Sequence, residues 1–174
     1  MNLYKIAGLT VEMECSGKTL LKRGKPYRMD TGGPTDIYIH IGDETLKKAR
    51  EKYPLLSPDE MEYIQTGFAF SRTLLEFDGF CLHASAVAVD NKVVLFSAPC
   101  GTGKSTHTTL WQKYFGKDKA VIVNDDKPAL RLLEDAFYVY GTPWSGKSDL
   151  SANIKVPLQA VAFLEQAKKT ISGV

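Results

Sequence analysis

The feature that most restricts the fold is a glycine-rich octapeptide, Ala-Pro-Cys-Gly-Thr-Gly-Lys-Ser, at residues 98–105. An apolar run at residues 93–96 precedes it, and a segment with helical character at residues 104–115 follows it and ends before Gly116. A strand, a tight glycine loop and a helix in this order are typical of a phosphate-binding loop of the Walker A type. The sequence therefore predicts an α/β fold in which this loop joins a strand to a helix.

Each residue type in the loop has a physical reason to be there. Gly101 and Gly103 allow the backbone to curl and direct its amides at phosphate oxygens. Lys104 supplies a positive charge for the β and γ phosphates, and Ser105 supplies a hydroxyl ligand for Mg²⁺. Ala98 replaces the usual first glycine, and a positive φ there would cost on the order of 1 kcal/mol. The predicted nucleotide-binding residues of the loop are Gly101, Thr102, Gly103, Lys104, Ser105 and Thr106.

A pair of carboxylates follows the next predicted strand. Residues 120–123 form a short β-branched run, and Asn124, Asp125 and Asp126 come directly after it. Adjacent residues at a strand end point to opposite faces, so one carboxylate can reach Mg²⁺ while the other accepts a proton. The same residues are also good turn formers, but their position one strand after the loop helix favours a functional role.

A histidine is predicted beside the loop. Apolar runs at residues 81–89 and 92–97 flank Asp90-Asn91, which favours an antiparallel hairpin with a tight turn. A two-residue turn places His83 opposite Ala98, where the imidazole could bind a phosphate oxygen or the proton-accepting aspartate. A structural histidine is the alternative.

A second hairpin is predicted from residues 128–133 and 137–140, and it leads into the segment Gly141 to Ser148. This segment could bring Lys147 to a phosphate or Trp144 to a substrate surface, or it could be an ordinary glycine-containing turn. Spacing alone leaves these alternatives open.

The N-terminal part, residues 1–55, is predicted to be β-rich. Apolar residues alternate at 9–13 and at 37–41, which indicates a small antiparallel sheet, with glycines and prolines supplying turns between. Ser57 and Glu60 form a capping-box pattern that predicts a helix from there to about Glu76. Its apolar residues recur at helical spacing and are predicted to pack on the sheet; they are Met61, Ile64, Phe68 and Leu75. We predict one domain over residues 1–174, with residues 56–174 forming the phosphate-loop core.

Composition excludes several classes of function. Lys plus Arg number 22 against 20 Asp plus Glu, so no bulk field attracts nucleic acid or an anionic membrane. Cys15, Cys81 and Cys100 are widely spaced and encode neither a disulfide framework nor a zinc knuckle. The apolar stretches are short, and the first five residues lack the basic and then apolar pattern of a signal peptide, so neither secretion nor membrane spanning is expected. We expect a cytoplasmic protein with no nucleic-acid or membrane partner.

The combination of motifs resembles a known family. An antiparallel hairpin, not a βαβ crossover, leads into the loop. The string Leu82-His83-Ala84-Ser85-Ala86-Val87, with residues 94–106, 124–126 and 141–147, resembles the catalytic domain of HPr kinase/phosphorylase and its relatives. That fold is similar to the nucleotide-binding part of ATP-dependent phosphoenolpyruvate carboxykinase. The resemblance covers roughly residues 79–165.

The resemblance implies a mixed, largely antiparallel sheet with flanking helices, and an ATP- and Mg²⁺-dependent kinase that phosphorylates a hydroxyl, typically a serine of a small protein or peptide. It places His83, Asp125 and Lys104 at the reaction centre and Asp126 with Ser105 around the metal, although the roles of the two aspartates can be exchanged. The segment containing Lys147 resembles one in relatives associated with peptide modification, which makes Lys147 a further binding residue.

Two departures change the expected substrate and assembly. The glycine-rich segment that HPr kinases carry after the acidic pair has no counterpart, so HPr is not the expected substrate. Residues 156–164 read as a core strand, and the sequence ends soon after, where relatives continue with helices. A truncated or minimal core would expose apolar surface and favour self-association or a partner.

The alternative function is a nucleotide-responsive binding module without phosphoryl transfer. A carboxykinase is the less expected third function, because it would need a further substrate-binding domain.

Overall fold

The computed structural model describes residues 2–166, which form an α/β fold with two mixed sheets. The smaller sheet contains β1 (Asn2–Ile6), β2 (Leu9–Met13), β3 (Arg28–Met29) and β4 (Ile37–Ile39) in the order β3-β1-β2-β4. The helices are α1 (Lys18–Gly24), α2 (Asp43–Lys52), α3 (Pro58–Thr73) and α4 (Lys104–Phe115). None of the helices within residues 2–166 is long and apolar enough to cross a membrane. The segment from Lys168 to the last residue, on which the expectation of a truncated or minimal core depends, lies outside the described residues.

The larger sheet has seven strands in the order β5-β9-β10-β11-β7-β6-β8. Its strands are β5 (Gly79–Cys81), β6 (Ala84–Val89), β7 (Lys92–Ser97), β8 (Val121–Asn124), β9 (Ala129–Leu133), β10 (Ala136–Tyr140) and β11 (Lys155–Phe163). Most neighbours are antiparallel, but β11 runs parallel to β7. The sheet is therefore mixed and largely antiparallel.

The predicted hairpin before the glycine loop is confirmed. Val89 pairs with Lys92 across β6 and β7, and Ala84 pairs with Ser97, so His83 lies one step beyond the paired strands. Asp90 and Asn91 have φ values of 49° and 59°, as the tight turn requires. The prediction that residues 81–89 form one strand of this hairpin is wrong at its start, because Cys81 belongs to β5 and pairs with β9.

The smaller sheet differs from the prediction at β4, which pairs with β2 in parallel and not antiparallel. A parallel neighbour needs a crossover connection, and helix α1 with β3 supplies it. The turn-forming residues predicted here include Gly24, which instead ends α1. Helix α2 was not predicted either.

Helix α3 begins at the predicted capping box, with the Ser57 side chain accepting from the Glu60 amide and the Glu60 side chain accepting from the Ser57 amide. Its buried residues are Met61, Thr66, Gly67 and Phe70. The prediction that Ile64, Phe68 and Leu75 pack on the sheet is wrong, since all three are exposed. The apolar stripe of the sequence is therefore split between the core and the surface.

One hydrophobic core joins the N-terminal part to the larger sheet. Tyr4 and Val11 of the small sheet belong to the same cluster as Phe70, Tyr140 and Trp144. The Arg131 guanidinium of β9 also donates a hydrogen bond to the Ala7 carbonyl at 3.1 Å. The cluster thus crosses the predicted division near residue 55.

Candidate active site

The glycine loop between β7 and α4 has the backbone conformation that its sequence predicts. Gly101 and Gly103 have φ values of +81° and +112°. Residues other than glycine rarely adopt this backbone conformation. A methyl group built on either glycine would meet no other atom within 4 Å, so open space faces the loop. Ala98 does not adopt a positive φ, and its methyl group therefore carries no backbone penalty.

Lys104, the first residue of α4, is buried although it is a lysine. Its ammonium donates hydrogen bonds to the Ala98 carbonyl at 2.8 Å and to the Pro99 carbonyl at 3.3 Å. Carbonyl oxygens of the loop therefore hold the cation beside the glycines. A buried ammonium satisfied by neutral acceptors gains much more from an anion nearby than an exposed lysine does.

Asn124 positions the two aspartates at the end of β8. Its fully buried side-chain oxygen accepts from the amides of Asp126 at 2.9 Å and Lys127 at 2.7 Å. Its side-chain nitrogen donates to the Thr142 carbonyl at 3.0 Å. The segment is thus a turn, as its composition indicates, and both aspartates line the same cavity as the glycine loop.

The two aspartates have different surroundings. Asp125 is nearly buried, and its Oδ1 accepts a hydrogen bond from the buried Ser85 hydroxyl at 2.6 Å. Asp126 is more exposed, and its Oδ1 lies 3.4 Å from Nε2 of His83. The imidazole therefore faces Asp126, the residue to which the resemblance gives the metal, and not Asp125.

A cavity of about 710 Å³ brings the predicted site residues together. Its lining residues are His83, Cys100, Gly101, Gly103, Lys104, Ser105, Thr106, Asp125, Asp126, Gly146, Lys147 and Ser148. We call this cavity the phosphate pocket. Of the predicted site residues, Thr102 is not part of the lining and borders a neighbouring cavity instead. The volume falls within the usual range of small-molecule pockets.

Comparison with protein-family models gives no match, and no curated protein matches the chain.

The donor set of the phosphate pocket suits Mg²⁺ better than a transition metal. Within residues 2–166, no three His, Cys, Asp or Glu side chains form a cluster able to hold a metal ion by themselves. Mg²⁺ commonly takes only one or two carboxylates from the protein and completes its shell with phosphate oxygens and water. Ser105 with Asp125 or Asp126 would supply that partial set.

The segment after β10 combines a buried anchor with an exposed lysine. Trp144 is 2% exposed, stacks on Phe70 with ring centroids 4.9 Å apart, and donates its indole N–H to the Thr66 hydroxyl at 3.3 Å. Lys147, three residues later, lines the phosphate pocket. Of the alternatives left open by the sequence, the structure places the lysine at the pocket and the tryptophan mainly in the core.

Arg23 and Tyr63 hold this segment in place, and sequence analysis missed both. The Arg23 guanidinium donates to the Gly146 carbonyl at 2.6 Å and to the Tyr63 hydroxyl at 2.7 Å, and pairs with Asp149 at 3.0 Å. The Tyr63 hydroxyl accepts from the Gly146 amide at 3.3 Å. Burial raises the pKa of Tyr63, so the phenol stays neutral. More than 120 residues separate Arg23 from Gly146, and no local pattern could reveal the contact.

The Arg23 network predicts a stability difference between two neighbouring basic residues. Arg23→Ala removes one charged hydrogen bond to a carbonyl, one to a phenol and one ion pair, and we expect a loss of about 2–3 kcal/mol in the free energy of unfolding. Lys22→Ala breaks only an exposed 2.8 Å pair with the same Asp149, and we expect less than about 0.5 kcal/mol. Urea unfolding measures both. Equal effects would contradict the anchoring role of Arg23.

The other two histidines do not line the phosphate pocket. His40 pairs with Glu14 at 2.7 Å on the surface, and His107 stacks on Phe96 with ring centroids 5.1 Å apart. All three cysteines are free, as expected.

Proposed function

We propose that the protein is an ATP- and Mg²⁺-dependent kinase of the HPr kinase type that phosphorylates a hydroxyl, typically a serine of a small protein or peptide. One observation carries the proposal. A single pocket combines a positive-φ glycine loop, a buried lysine, two carboxylates and an imidazole. A loop that only bound an anion would not need the carboxylates, because they repel phosphate unless a cation or a proton is also present.

Three elements provide the positive charge for the triphosphate. The first turn of α4 has no side-chain cap, so its backbone amides are available to an anion, and the helix macrodipole adds to their effect. Lys104 exchanges its neutral carbonyl partners for phosphate oxygens. Lys147 approaches from the separate segment that Trp144 and Arg23 anchor. These groups bind the nucleotide and withdraw charge from the γ-phosphoryl group as it is transferred.

Ser105 and Asp125 would hold Mg²⁺, which neutralises phosphate charge when bound. Asp125 suits this role because its Oδ1 is fixed by Ser85 and because, unlike Asp126, it lines the phosphate pocket without lining the adjoining groove. This assignment exchanges the roles that the resemblance gave to the two aspartates.

Asp126 is the better placed proton acceptor. It lies opposite His83, and both residues border the phosphate pocket and an adjoining groove from which an acceptor can approach. In the proposed step the acceptor oxygen forms a bond to the γ-phosphorus while the bond from that phosphorus to the β–γ bridging oxygen breaks. ADP leaves, and the hydroxyl proton passes to the Asp126 carboxylate.

Calorimetric titration with ATP and labelled-ATP transfer test the proposal together. We expect ATP to bind with a Kd below about 1 mM in the presence of Mg²⁺ and more weakly in its absence. We also expect [γ-³²P]ATP to label an equimolar pool of serine-containing peptides. Binding without transfer to peptide or water would favour the nucleotide-responsive binding module. Absence of binding would overturn both functions.

A further inference from the structure

A second cavity, of about 320 Å³, adjoins the phosphate pocket. Its lining residues are Tyr63, Ile64, Gly67, Phe68, Ser71, Cys81, Leu82, His83, Asp126, Lys127 and Trp144. We call it the α3 groove. His83 and Asp126 border both cavities, so the groove begins at the carboxylate that we assign as proton acceptor. Its volume lies at the small end of ligand pockets and suits a bulky side chain.

Two exposed apolar side chains of α3 line the groove. Ile64 and Phe68 stand one helical turn apart on α3, and they are 46% and 66% exposed. Trp144 and Cys81 add to the lining. Burial raises the pKa of the Cys81 thiol to about 11, so it is a neutral group at physiological pH. Exposed apolar side chains grouped beside a reactive site typically mark a binding surface.

The charged side chains that line the groove, and its histidine, come from outside α3. His83 and Asp126 also line the phosphate pocket, and the exposed Lys127 follows Asp126 in the chain. An acceptor whose hydroxyl reaches Asp126 therefore has its neighbouring residues directed along the groove, since successive residues of an extended chain advance about 3.3 Å. Lys127 repels a basic side chain that enters the groove, whereas Ile64 and Phe68 offer contact to an apolar side chain.

We infer that the α3 groove binds the acceptor, and that this acceptor is a peptide segment in which a bulky apolar residue lies within two positions of the phosphorylated serine. The inference rests on the proposed kinase function and specifies its substrate class. Ile64 and Phe68 are then specificity-determining residues. Their exposure is a cost to the free protein that binding of the apolar side chain removes.

Synthetic peptides test this substrate class directly. Each peptide carries one serine, with Leu, Phe, Ser or Lys at the positions within two residues of it, and transfer from labelled ATP is measured with the wild-type protein. We expect kcat/KM to be at least about tenfold higher for Leu or Phe than for Ser, and lowest for Lys.

Phe68→Ser should reduce the preference for Leu over Ser peptides to less than about threefold. Leu75→Ser is the matched control, because Leu75 is 65% exposed and lies outside the groove; it should retain the full preference.

Two results would overturn the inference without contradicting the proposed kinase function. One is peptide transfer without an apolar preference, and the other is a preference that Phe68→Ser retains. ATP hydrolysis without transfer to any peptide would also overturn the inference alone. If the protein shows neither ATP hydrolysis nor phosphoryl transfer, the proposed function is overturned as well.

Discussion

Lys104→Ala is expected to lower phosphoryl transfer from ATP at least about 10³-fold. The ammonium is the buried cation of the glycine loop, held by the Ala98 and Pro99 carbonyls. Negative charge on the β–γ bridging oxygen grows as the phosphoryl group leaves, so a cation fixed at this place stabilises the transition state more than the bound nucleotide. We therefore expect a larger effect on kcat than on ATP affinity. Single-turnover transfer of labelled phosphate measures the loss.

Lys113→Ala provides the control for Lys104. Lys113 lies near the other end of the same helix, is exposed and does not line the phosphate pocket. Its removal changes net charge by the same amount, so a purely long-range electrostatic effect would appear in both variants. Circular dichroism and the unfolding midpoint show whether each variant is folded. A folded Lys104→Ala protein with more than about one-tenth of the wild-type rate would contradict the proposed mechanism.

Local sequence signals predicted the backbone around the phosphate pocket correctly. The glycine loop, the two-residue turn of Asp90 and Asn91 and the capping box of α3 depend on backbone preferences of a few adjacent residues. The register of the β6–β7 hairpin follows from that turn and places His83 at the loop. These features can be predicted from the sequence because the residues that form each of them are close together in the chain.

The apolar stripe of α3 shows where periodicity fails. Spacing placed Met61, Ile64 and Phe68 on one helical face, yet Met61 is fully buried and the other two are exposed. Helical spacing defines a stripe but not how much of it a neighbouring element covers. Here Gly67 contacts Trp144 closely: a Cβ on this glycine would lie 2.7 Å from the indole. The core side of α3 is therefore set by a tryptophan that lies more than seventy residues further along the chain.

The parts that sequence analysis missed share the same cause. Helix α1 is only seven residues long, and Asp59 of α3 accepts from the Thr19 amide at its first turn. A helix this short is marginal by itself and depends on tertiary contacts. Arg23, at its other end, then fixes the segment that presents Lys147. The N-terminal part thereby supports the phosphate pocket without lining it.

Gly146 connects that segment to the acidic pair. It has a φ of +69°, and a Cβ there would lie 2.8 Å from Cβ of Asp126. The close packing restricts the Asp126 side chain on one side, while His83 faces its Oδ1. A proton acceptor held in one orientation needs little reorganisation when the hydroxyl approaches. This packing is a further reason to assign proton transfer to Asp126.

Asp126→Asn is expected to lower kcat for peptide phosphorylation about 10²- to 10³-fold, with little change in ATP affinity. An amide has nearly the shape of the carboxylate but does not accept the hydroxyl proton. The Mg²⁺ concentration for half-maximal activity should stay within about twofold of wild type, because Asp126 is not the proposed metal ligand. Steady-state rates over a Mg²⁺ series measure both quantities in one experiment.

Asp125→Asn should mainly change the Mg²⁺ requirement, whereas Asp126→Asn should mainly change kcat. Its Oδ1 can still accept from Ser85, but loss of the charge weakens the site for Mg²⁺, so we expect a Mg²⁺ requirement raised at least about tenfold and partial recovery of the rate at high Mg²⁺. Asp135→Asn is the control, because Asp135 lies in the β9–β10 turn with a φ of 65°, which asparagine tolerates, and does not line the phosphate pocket. If Asp126→Asn instead shows the raised Mg²⁺ requirement and Asp125→Asn the Mg²⁺-independent loss of kcat, the two roles are exchanged. In that case the contact between His83 and Asp126 orients a metal ligand and not the base.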